Sequence, residues 1–255
     1  MTIAFERRGT GRPLLLVHGL GSSRAAWTPI LPLLPNRELI LVDLPGHGAT
    51  PSEADSGTFQ GLVRSMEHWL AAEGLSNVPM VGSSMGARLV LEMHRRGLSG
   101  PTVALDPGGF WQGWERTLVS TTLTASVALL RALKAALPAL SRNVVSRSAL
   151  LAQLSARPWT LDGNFVGHEL ASLANTRTAN SLIHDLAYGP AQMGSTESNA
   201  VTIGWGRHDR LCLPRQAGRA HEVFAGSRLI WFEHSGHFPM WDEPAKAAAL
   251  ILEAA

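Results

Sequence analysis

One short segment of the chain combines an apolar strand pattern, a Gly-x-Ser-x-Gly turn and the spacing of an amphipathic helix. The turn is Gly82–Gly86, with Ser84 at its centre. A strand that reverses directly into a helix forces the central residue of the turn into a sparsely populated backbone conformation and crowds its neighbours two positions away. We therefore expect both flanking glycines to be required, and the Ser84 hydroxyl to stand clear of the backbone beside the first amides of a helix.

The overall composition excludes several classes of protein. The 255 residues suit one α/β core of about 150–200 residues plus one sizeable insertion. The 22 basic and 20 acidic residues give a net charge of +2, which is too even for a nucleic-acid-binding surface. Cys212 is the single cysteine, so an internal disulfide is excluded and a reducing compartment is favoured.

Neither a signal peptide nor a membrane span is expected. Charged residues interrupt the N-terminal segment, and its apolar run 14–17 is too short for the core of a signal peptide. The longest apolar stretch, 121–140, contains Arg131 and Lys134, whereas a membrane span needs about 18 uncharged apolar residues. We therefore expect a soluble, cytoplasmic protein without stable membrane insertion.

Apolar strand patterns alternate with helical patterns along most of the chain. A short edge strand is expected over 2–7, and further strands over 14–17, 38–43, 78–81, 102–106, 200–205 and 227–233. Continuous apolar runs of this kind are typical of parallel strands buried on both faces, so the pattern predicts a doubly wound, mostly parallel α/β sheet. The alternation is interrupted between 110 and 189, where leucines recur at helical spacing. The sequence therefore predicts a core formed by 1–109 and 190–255, with 110–189 as a helical insertion.

Reactive side chains follow three of the predicted strands. Ser84 lies in the turn described above, Asp209 follows the strand 200–205, and His237 follows the last strand. In open α/β sheets, ligands bind at the carboxyl ends of the strands, so these three side chains are expected to meet. The order Ser, Asp, His along the chain is that of one large hydrolase architecture.

Five motifs in this order make the sequence resemble the α/β-hydrolase superfamily over nearly its whole length. They are Val17-His18-Gly19-Leu20-Gly21, Asp43-Leu44-Pro45-Gly46-His47-Gly48, the turn Gly82–Gly86, Trp205-Gly206-Arg207-His208-Asp209 and Ser235-Gly236-His237-Phe238-Pro239. The resemblance implies the α/β-hydrolase fold, with a sheet of about seven to eight strands, helices on both faces and a helical cap at 110–189. The N-terminal part looks short for two full strands, so one strand of the family pattern is expected to be absent.

The chemistry of the three groups predicts nucleophilic catalysis. A serine hydroxyl becomes a good nucleophile when a neutral imidazole takes its proton, so His237 is the expected general base for Ser84. Asp209 would accept a hydrogen bond from the other ring nitrogen and fix the tautomer. The oxyanion of the tetrahedral intermediate needs donors, which we expect to be the backbone amides of Leu20 and Met85.

Two of these assignments have rivals in the sequence. Asp106 also follows a predicted strand, and similar proteins use that position for the acid. Asp209 is favoured, with Asp106 capping the turn 107–109. His234 lies close to His237, but the position of His237 after Ser235-Gly236 favours it as the base.

No metal site and no cofactor are predicted. The spacing of the His, Cys, Asp and Glu residues matches no metal motif, and Gly82–Gly86 lacks the lysine of a phosphate-binding loop and the third glycine of a dinucleotide-binding loop. His18 and His47 are expected to form structural hydrogen bonds in their turns, and Cys212 to pack in the interior.

The insertion is expected to select the substrate. Residues 116–161 contain no Asp or Glu, but do contain Arg116, Arg131, Lys134, Arg142, Arg147 and Arg157. These charges fit a solvated outer face; a site for an anionic substrate or an acidic carrier protein, and a lid at a membrane surface, are the alternatives. The apolar residues predict a small-molecule substrate with a hydrophobic acyl group. Trp111, Trp114 and Trp159 are candidates for pocket walls or for core residues.

The leading functional prediction is a serine hydrolase that cleaves a carboxylic ester, thioester or lactone through an acyl-enzyme. An acyltransferase, a perhydrolase-type enzyme or a lyase could use the same site, because the difference lies in which nucleophile reaches the acyl-enzyme. The non-enzymatic alternative is a receptor that uses the same fold to bind a ligand. Dehalogenase and epoxide hydrolase activities are disfavoured, because similar proteins of those types carry aspartate at the position of Ser84.

Overall fold

A seven-stranded sheet runs through the computed structural model, which describes residues 3–195 and 197–255. The spatial order of the strands is β1-β3-β2-β4-β5-β6-β7. Their bounds are β1 Phe5–Arg8, β2 Arg12–Val17, β3 Arg37–Val42, β4 Met80–Ser83, β5 Thr102–Leu105, β6 Val201–Gly206 and β7 Arg228–Phe232. Only β1 pairs antiparallel, at the edge of the sheet, and the other six strands are parallel.

Helices cover both faces of the sheet and fill the interval between β5 and β6. Their bounds are α1 Phe59–Ala72, α2 Met85–Arg95, α3 Trp114–Ala132, α4 Leu137–Arg142, α5 Val144–Leu150, α6 Gly163–Asn175, α7 Ala179–Tyr188, α8 Gln216–Val223, α9 Pro239–Asp242 and α10 Pro244–Ala254. Short 3-10 turns lie at Arg24–Trp27, Leu31–Leu33, Lys134–Ala136 and Pro158–Thr160.

The central strands are buried on both faces, as their continuous apolar sequences predict. In β2, Leu15 and Val17 point into the core that contains α1 and α2, whereas Leu14 and Leu16 point into the core that contains α10. Burying an aliphatic side chain of this size contributes roughly 1.5–3 kcal/mol relative to leaving it in water. Both cores therefore fix the register of the parallel strands, whose carboxyl ends lie at one edge of the sheet.

The helical segment, residues 110–189 between β5 and β6, has its two ends close together beside α2. The amide of Gln192 donates a hydrogen bond to the carbonyl of Gly109 at 3.3 Å. The buried guanidinium of Arg88, in α2, donates to the carbonyl of Pro190 at 2.6 Å and lies over the ring of Phe59 at 4.0 Å. Burial lowers the pKa of Arg88 to about 10, so the group remains charged near neutral pH. This side chain ties the helix of the Gly-x-Ser-x-Gly turn to the exit of the helical segment.

The structure confirms the predicted fold class and corrects several local predictions. The edge strand expected over 2–7 is β1, Phe5–Arg8, and Thr2 lies outside the described residues. Where the sequence pattern predicts that a helix begins, near 25–27, the structure has a single 3-10 turn, Arg24–Trp27. Within the described residues, no single helix is long and apolar enough to cross a membrane. One bent pair, Trp114–Ala132 with Lys134–Arg142, meets the criteria of length and composition only.

Candidate active site

The turn between β4 and α2 holds Ser84 in an unusual backbone conformation. Its φ is 56° and its ψ is −116°, outside the regions that most L-residues adopt. A Cβ atom on Gly82 would lie 2.2 Å from the carbonyl oxygen of Gly86, and one on Gly86 would lie 2.3 Å from the carbonyl oxygens of Val17 and His18. Glycine is therefore required at both positions. The crowding at Gly82 comes from the turn itself, whereas that at Gly86 comes from the end of β2.

The structure brings Ser84, His237 and Asp209 together from three loops. His237 Nε2 lies 2.7 Å from Ser84 Oγ, and His237 Nδ1 lies 2.7 Å from Asp209 Oδ2. Because a carboxylate can only accept, Nδ1–H donates to Asp209, which leaves the lone pair of Nε2 to accept from the Ser84 hydroxyl. The imidazole is thus oriented to take the proton of Ser84.

The carboxylate of Asp209 is held by backbone donors of its own loop. Its Oδ1 accepts hydrogen bonds from the amides of Leu211 at 2.7 Å and Cys212 at 3.0 Å. The indole of Trp205 donates to the carbonyl of Cys212 at 2.9 Å, which fixes the far side of the loop. Asp209 is 2% exposed, so these donors replace the water that an ionised carboxylate loses on burial.

The loop that carries His237 is fixed from the helical segment and from α9. The amide of His237 donates to the carbonyl of Leu154 at 2.8 Å. Asp242, in α9, accepts hydrogen bonds from the amide of Gly236 at 2.7 Å, the hydroxyl of Ser155 at 2.5 Å and the amide of Ala156 at 2.9 Å. The position of Asp242 in the sequence gave no sign of this role, because all of its partners except Gly236 are distant along the chain.

Asp106 lies against the site, but in a different role from the one expected. Its Oδ1 accepts from the amide of Gly206 at 2.9 Å, and it does not cap the turn 107–109. The prediction of a turn cap was wrong because the φ of Asp106 is 46°, which directs the side chain to the end of β6. Asp106 is completely buried beside Asp209, so it belongs to the surroundings of the site.

The expected oxyanion donors lie on both sides of Ser84. Met85 is the first residue of α2, so its amide has no partner within the helix. A Cβ atom on Gly19 would lie 3.1 Å from the Cβ of Ser84, so the loop 18–21 approaches the serine closely. Leu20 and Met85 both line the cavity beside Ser84. The assignment of their amides as oxyanion donors remains a prediction.

His18 and His47 form the structural hydrogen bonds that the sequence predicts. Nδ1–H of His18 donates to the carbonyl of Gly19 at 2.7 Å, and Nε2 accepts from the amide of Leu44 at 3.0 Å. Burial lowers the pKa of His18 to about 4, so the ring stays neutral and keeps both bonds. His47 is likewise buried, with Nδ1 3.1 Å from the carbonyl oxygen of Pro45. These rings shape the loop that approaches Ser84.

A narrow apolar cavity of about 30 Å³ opens beside Ser84. Its walls come from both the sheet region and the helical segment, which contributes Val119 and Leu123 of α3 and Ile183 and Leu186 of α7. This volume is small beside the roughly 300–1,000 Å³ that is typical of ligand pockets.

Only one of the three tryptophans considered as pocket walls lines the cavity. Trp111 is 7% exposed, and its indole donates to the carbonyl of Leu186 at 3.1 Å. Trp114 and Trp159 are 59% and 56% exposed, so they form neither the pocket nor the core. A larger cleft of about 460 Å³ lies between the loops after β2 and β3 and the helix α6, but none of Ser84, Asp209 and His237 lines it.

Comparisons with known proteins identify the family of the chain. The chain is 26% identical over 267 residues to an uncharacterized protein of Mycobacterium tuberculosis, covering 97% of this chain and 76% of that protein. It is 50% identical over 97 residues to a pimeloyl-[acyl-carrier protein] methyl ester esterase of Legionella pneumophila, covering 38% of this chain and 39% of the esterase. An esterase structure from Exiguobacterium antarcticum superposes on this chain with a TM-score of 0.77 at 18% identity. The superposition covers 98% of this chain and 94% of the esterase, and at this identity the likeness shows the fold alone. The model of the alpha/beta hydrolase family matches residues 14–250, which is nearly the whole chain, and the protein therefore belongs to this family.

Proposed function

We propose that this protein is a serine hydrolase that cleaves a carboxylic ester, thioester or lactone with a hydrophobic acyl part. The observation that carries the proposal is the unbroken chain of hydrogen bonds from Ser84 through His237 to Asp209, with both links at 2.7 Å. No cofactor enters the proposed reaction.

In the acylation step, Ser84 Oγ attacks the carbonyl carbon of the substrate while His237 Nε2 takes the hydroxyl proton. Asp209 stabilises the imidazolium that forms and holds the ring in its tautomer. The amides of Leu20 and Met85 would donate to the oxyanion, and losing one such donor typically costs about 3–4 kcal/mol of transition-state stabilisation. The imidazolium then gives its proton to the leaving oxygen or sulfur as its bond to the acyl carbon breaks, which leaves Ser84 acylated. An ester or thioester releases an alcohol or thiol at this step, whereas an opened lactone keeps its new hydroxyl group on the acyl chain.

In the deacylation step, water replaces the leaving group beside His237. The imidazole takes a proton from this water, whose oxygen attacks the acyl carbon, and then returns the proton to Ser84 Oγ as the acid is released. The side chain of His237 is 1% exposed. Water and substrate must therefore reach the serine through the cavity or after a movement of the surrounding segments.

The chemistry of the cavity supports an apolar acyl group. Leu20, Val119, Leu123, Ile183 and Leu211 lie around it, and it has little polar surface. We infer that residues 110–189 act as a cap over the site, with α3 and α7 as its inner wall. A bound acyl chain would replace the contacts that these helices make with each other, which favours apolar chains over polar ones.

We also propose that an acidic carrier protein presents the acyl group, as one form of the thioester or ester substrate. The supporting observation is the exposed basic surface of the cap, where Lys134, Arg142 and Arg157 face solvent in a stretch without acidic residues. The partial relative from Legionella acts, by its name, on an acyl-carrier-protein ester. Reversing two charges, Arg142→Glu with Arg157→Glu, should raise KM for a carrier-bound substrate and leave KM for a small ester unchanged. An equal effect on both substrates would exclude this presentation.

The experiment that tests the hydrolase proposal is labelling with a fluorophosphonate probe. The wild-type protein should be labelled, and Ser84→Ala should not. Ser83→Ala is the matched control, because Ser83 is the adjacent serine and its hydroxyl is fully buried. A panel of esters, thioesters and lactones of increasing acyl length should then show hydrolysis that depends on Ser84. Absence of Ser84-dependent labelling would instead favour a binding protein with this fold.

A further inference from the structure

Two buried aspartates lie side by side at the carboxyl ends of β5 and β6. Asp106 is 0% exposed and Asp209 is 2% exposed. Gly206, the last residue of β6, links them: its amide donates to Asp106 Oδ1 at 2.9 Å, and its carbonyl accepts from the backbone amide of Asp209 at 3.3 Å. Two ionised carboxylates held close together in a dry environment repel each other strongly, so the pair is expected to share one proton.

The hydrogen-bond donors around the pair are distributed unequally. Asp209 accepts three N–H bonds, from the amides of Leu211 and Cys212 and from Nδ1 of His237. Asp106 accepts one N–H bond at Oδ1, from the amide of Gly206, and its buried Oδ2 has no partner if the group is ionised. Donors stabilise the charged form of a carboxyl group, so the negative charge belongs on Asp209.

We propose that Asp106 is a neutral carboxylic acid whose Oδ2–H donates a hydrogen bond to the Asp209 carboxylate and so positions it for His237. This assignment rests on the proposed hydrolase function. The proton satisfies the one oxygen of Asp106 that otherwise lacks a partner, and it stays on Asp106 throughout the reaction. Asp106 is therefore a positioning residue that acts through Asp209.

The other titratable groups around Asp106 agree with a neutral acid. Burial is the main cause that raises the pKa of Asp106 well above its usual range, followed by the charge of Asp209, with a further contribution from Asp242. Burial also raises the pKa of the Cys212 thiol, whose sulfur lies within 4.8 Å of Asp209 and His237, so that thiol adds no charge. His237 becomes a cation when it takes the serine proton, and it is Asp209 that stands in contact with this ring.

Asp106→Asn is the decisive variant. Asparagine has the same shape, tolerates a positive φ, and can both donate to Asp209 through its amide nitrogen and accept from Gly206 through its oxygen. If Asp106 is already neutral, this change removes no charge. The rate of fluorophosphonate labelling of Ser84 should stay within about twofold of wild type, and the midpoint of the acidic limb of its pH profile should not move.

Asp106→Ala supplies the contrast, because alanine has neither the donor nor the acceptor. The labelling rate should fall by about tenfold or more at every pH, because Asp209 loses a donor that positions it. Infrared spectra of wild-type protein with labelled aspartate should contain, at pH 8, the band of a protonated carboxyl group that Asp106→Asn removes. The infrared readout does not depend on the folding of Asp106→Ala.

Three results would contradict the neutral state or the positioning role of Asp106. A midpoint that moves by about one pH unit to lower pH in Asp106→Asn would show that a negative charge was removed, and would overturn the proposal. Absence of the infrared band at pH 8 would also overturn it, and a wild-type rate in folded Asp106→Ala would exclude the positioning role. Failure of the hydrolase proposal itself would be recognised differently, as wild-type protein that is not labelled at Ser84.

Discussion

The backbone amide of His237 donates a hydrogen bond to the backbone carbonyl of Leu154, in the segment between α5 and α6. The proposed base is therefore attached at its main chain to the proposed cap. Asp242 strengthens this attachment, since its two carboxylate oxygens bridge Gly236 to Ser155 and Ala156. A movement of this part of the cap would be transmitted directly to the imidazole.

Asp242→Asn should reduce both activity and stability. An amide offers one acceptor oxygen where the carboxylate offers two, so at least one buried N–H or O–H loses its partner. The free energy of unfolding should fall by about 1–3 kcal/mol. We expect kcat for an ester to fall more than KM rises, measured beside thermal unfolding. Asp55→Asn is the control, because Asp55 pairs with Arg64 in an exposed position. Equal effects of the two substitutions would contradict the role of Asp242.

Gly86→Ala should destabilise the protein strongly. The new Cβ would lie 2.3 Å from two carbonyl oxygens of the β2 strand end, which cannot move without breaking the parallel pairing. We expect a loss of about 3 kcal/mol in the free energy of unfolding, measured by chemical denaturation. Gly218→Ala, in α8, is the opposite case, because a Cβ atom there meets nothing within 4 Å. It should stabilise the protein by about 0.5–1 kcal/mol. Similar stability of the two variants would refute the steric argument.

Glu169→Gln should change how stability depends on pH. Glu169, in α6, is 6% exposed and accepts a hydrogen bond from the hydroxyl of Ser22 at 2.5 Å, and burial raises its pKa to about 7. Between its ordinary value of 4.5 and about 7, the folded state binds more protons than the unfolded state. Stability should therefore fall as the pH rises through this window and level off above it. The loss in wild type should be on the order of 3 kcal/mol between pH 4.5 and pH 8, from unfolding curves at each pH.

The side chain of the glutamine variant cannot ionise, so its free energy of unfolding should lack the loss that wild type shows between pH 4.5 and pH 8. Glu169→Gln should therefore be more stable than wild type at pH 8. His168→Ala is a suitable control, because it changes the residue next to Glu169 in the sequence and leaves the buried carboxyl group of Glu169 in place. An identical pH dependence in wild type and Glu169→Gln would show that Glu169 keeps its ordinary ionisation.

Leu123→Ala should shift the acyl preference toward longer chains. Leu123 lies on α3 and lines the cavity beside Ser84, so removing its methyl groups gives space to a longer acyl chain. The ratio of kcat/KM for a long ester to that for a short ester should rise by about tenfold, the lower end of what one methylene group contributes in an apolar pocket. Leu129→Ala, on the same helix but 50% exposed, should leave the ratio unchanged. A shift in the ratio for Leu129→Ala as well would point to a general loosening of the cap.

Much of the fold could be predicted from local sequence patterns. Strands β2 and β3 end in continuous apolar runs, and such runs have few other stable environments than the interior of a parallel sheet. The boundaries shifted by one to three residues, because the ends of elements depend on neighbours that the pattern does not describe. The 3-10 turn at Arg24–Trp27 is one example, since its buried Trp27 belongs to a core cluster with residues of β2 and β3.

The sequence by itself determined that Ser84 stands on a strand–turn–helix and that Asp209 and His237 follow later strands, because backbone sterics and apolar periodicity act over a few residues. Only the tertiary structure decided that Asp209 and not Asp106 bonds to His237, that Asp242 holds the His237 loop, and that Arg88 fastens the exit of the helical segment. These relations join residues that are mostly far apart along the chain. Their distances follow from how the two cores and the helical segment pack, and no local pattern contains that information.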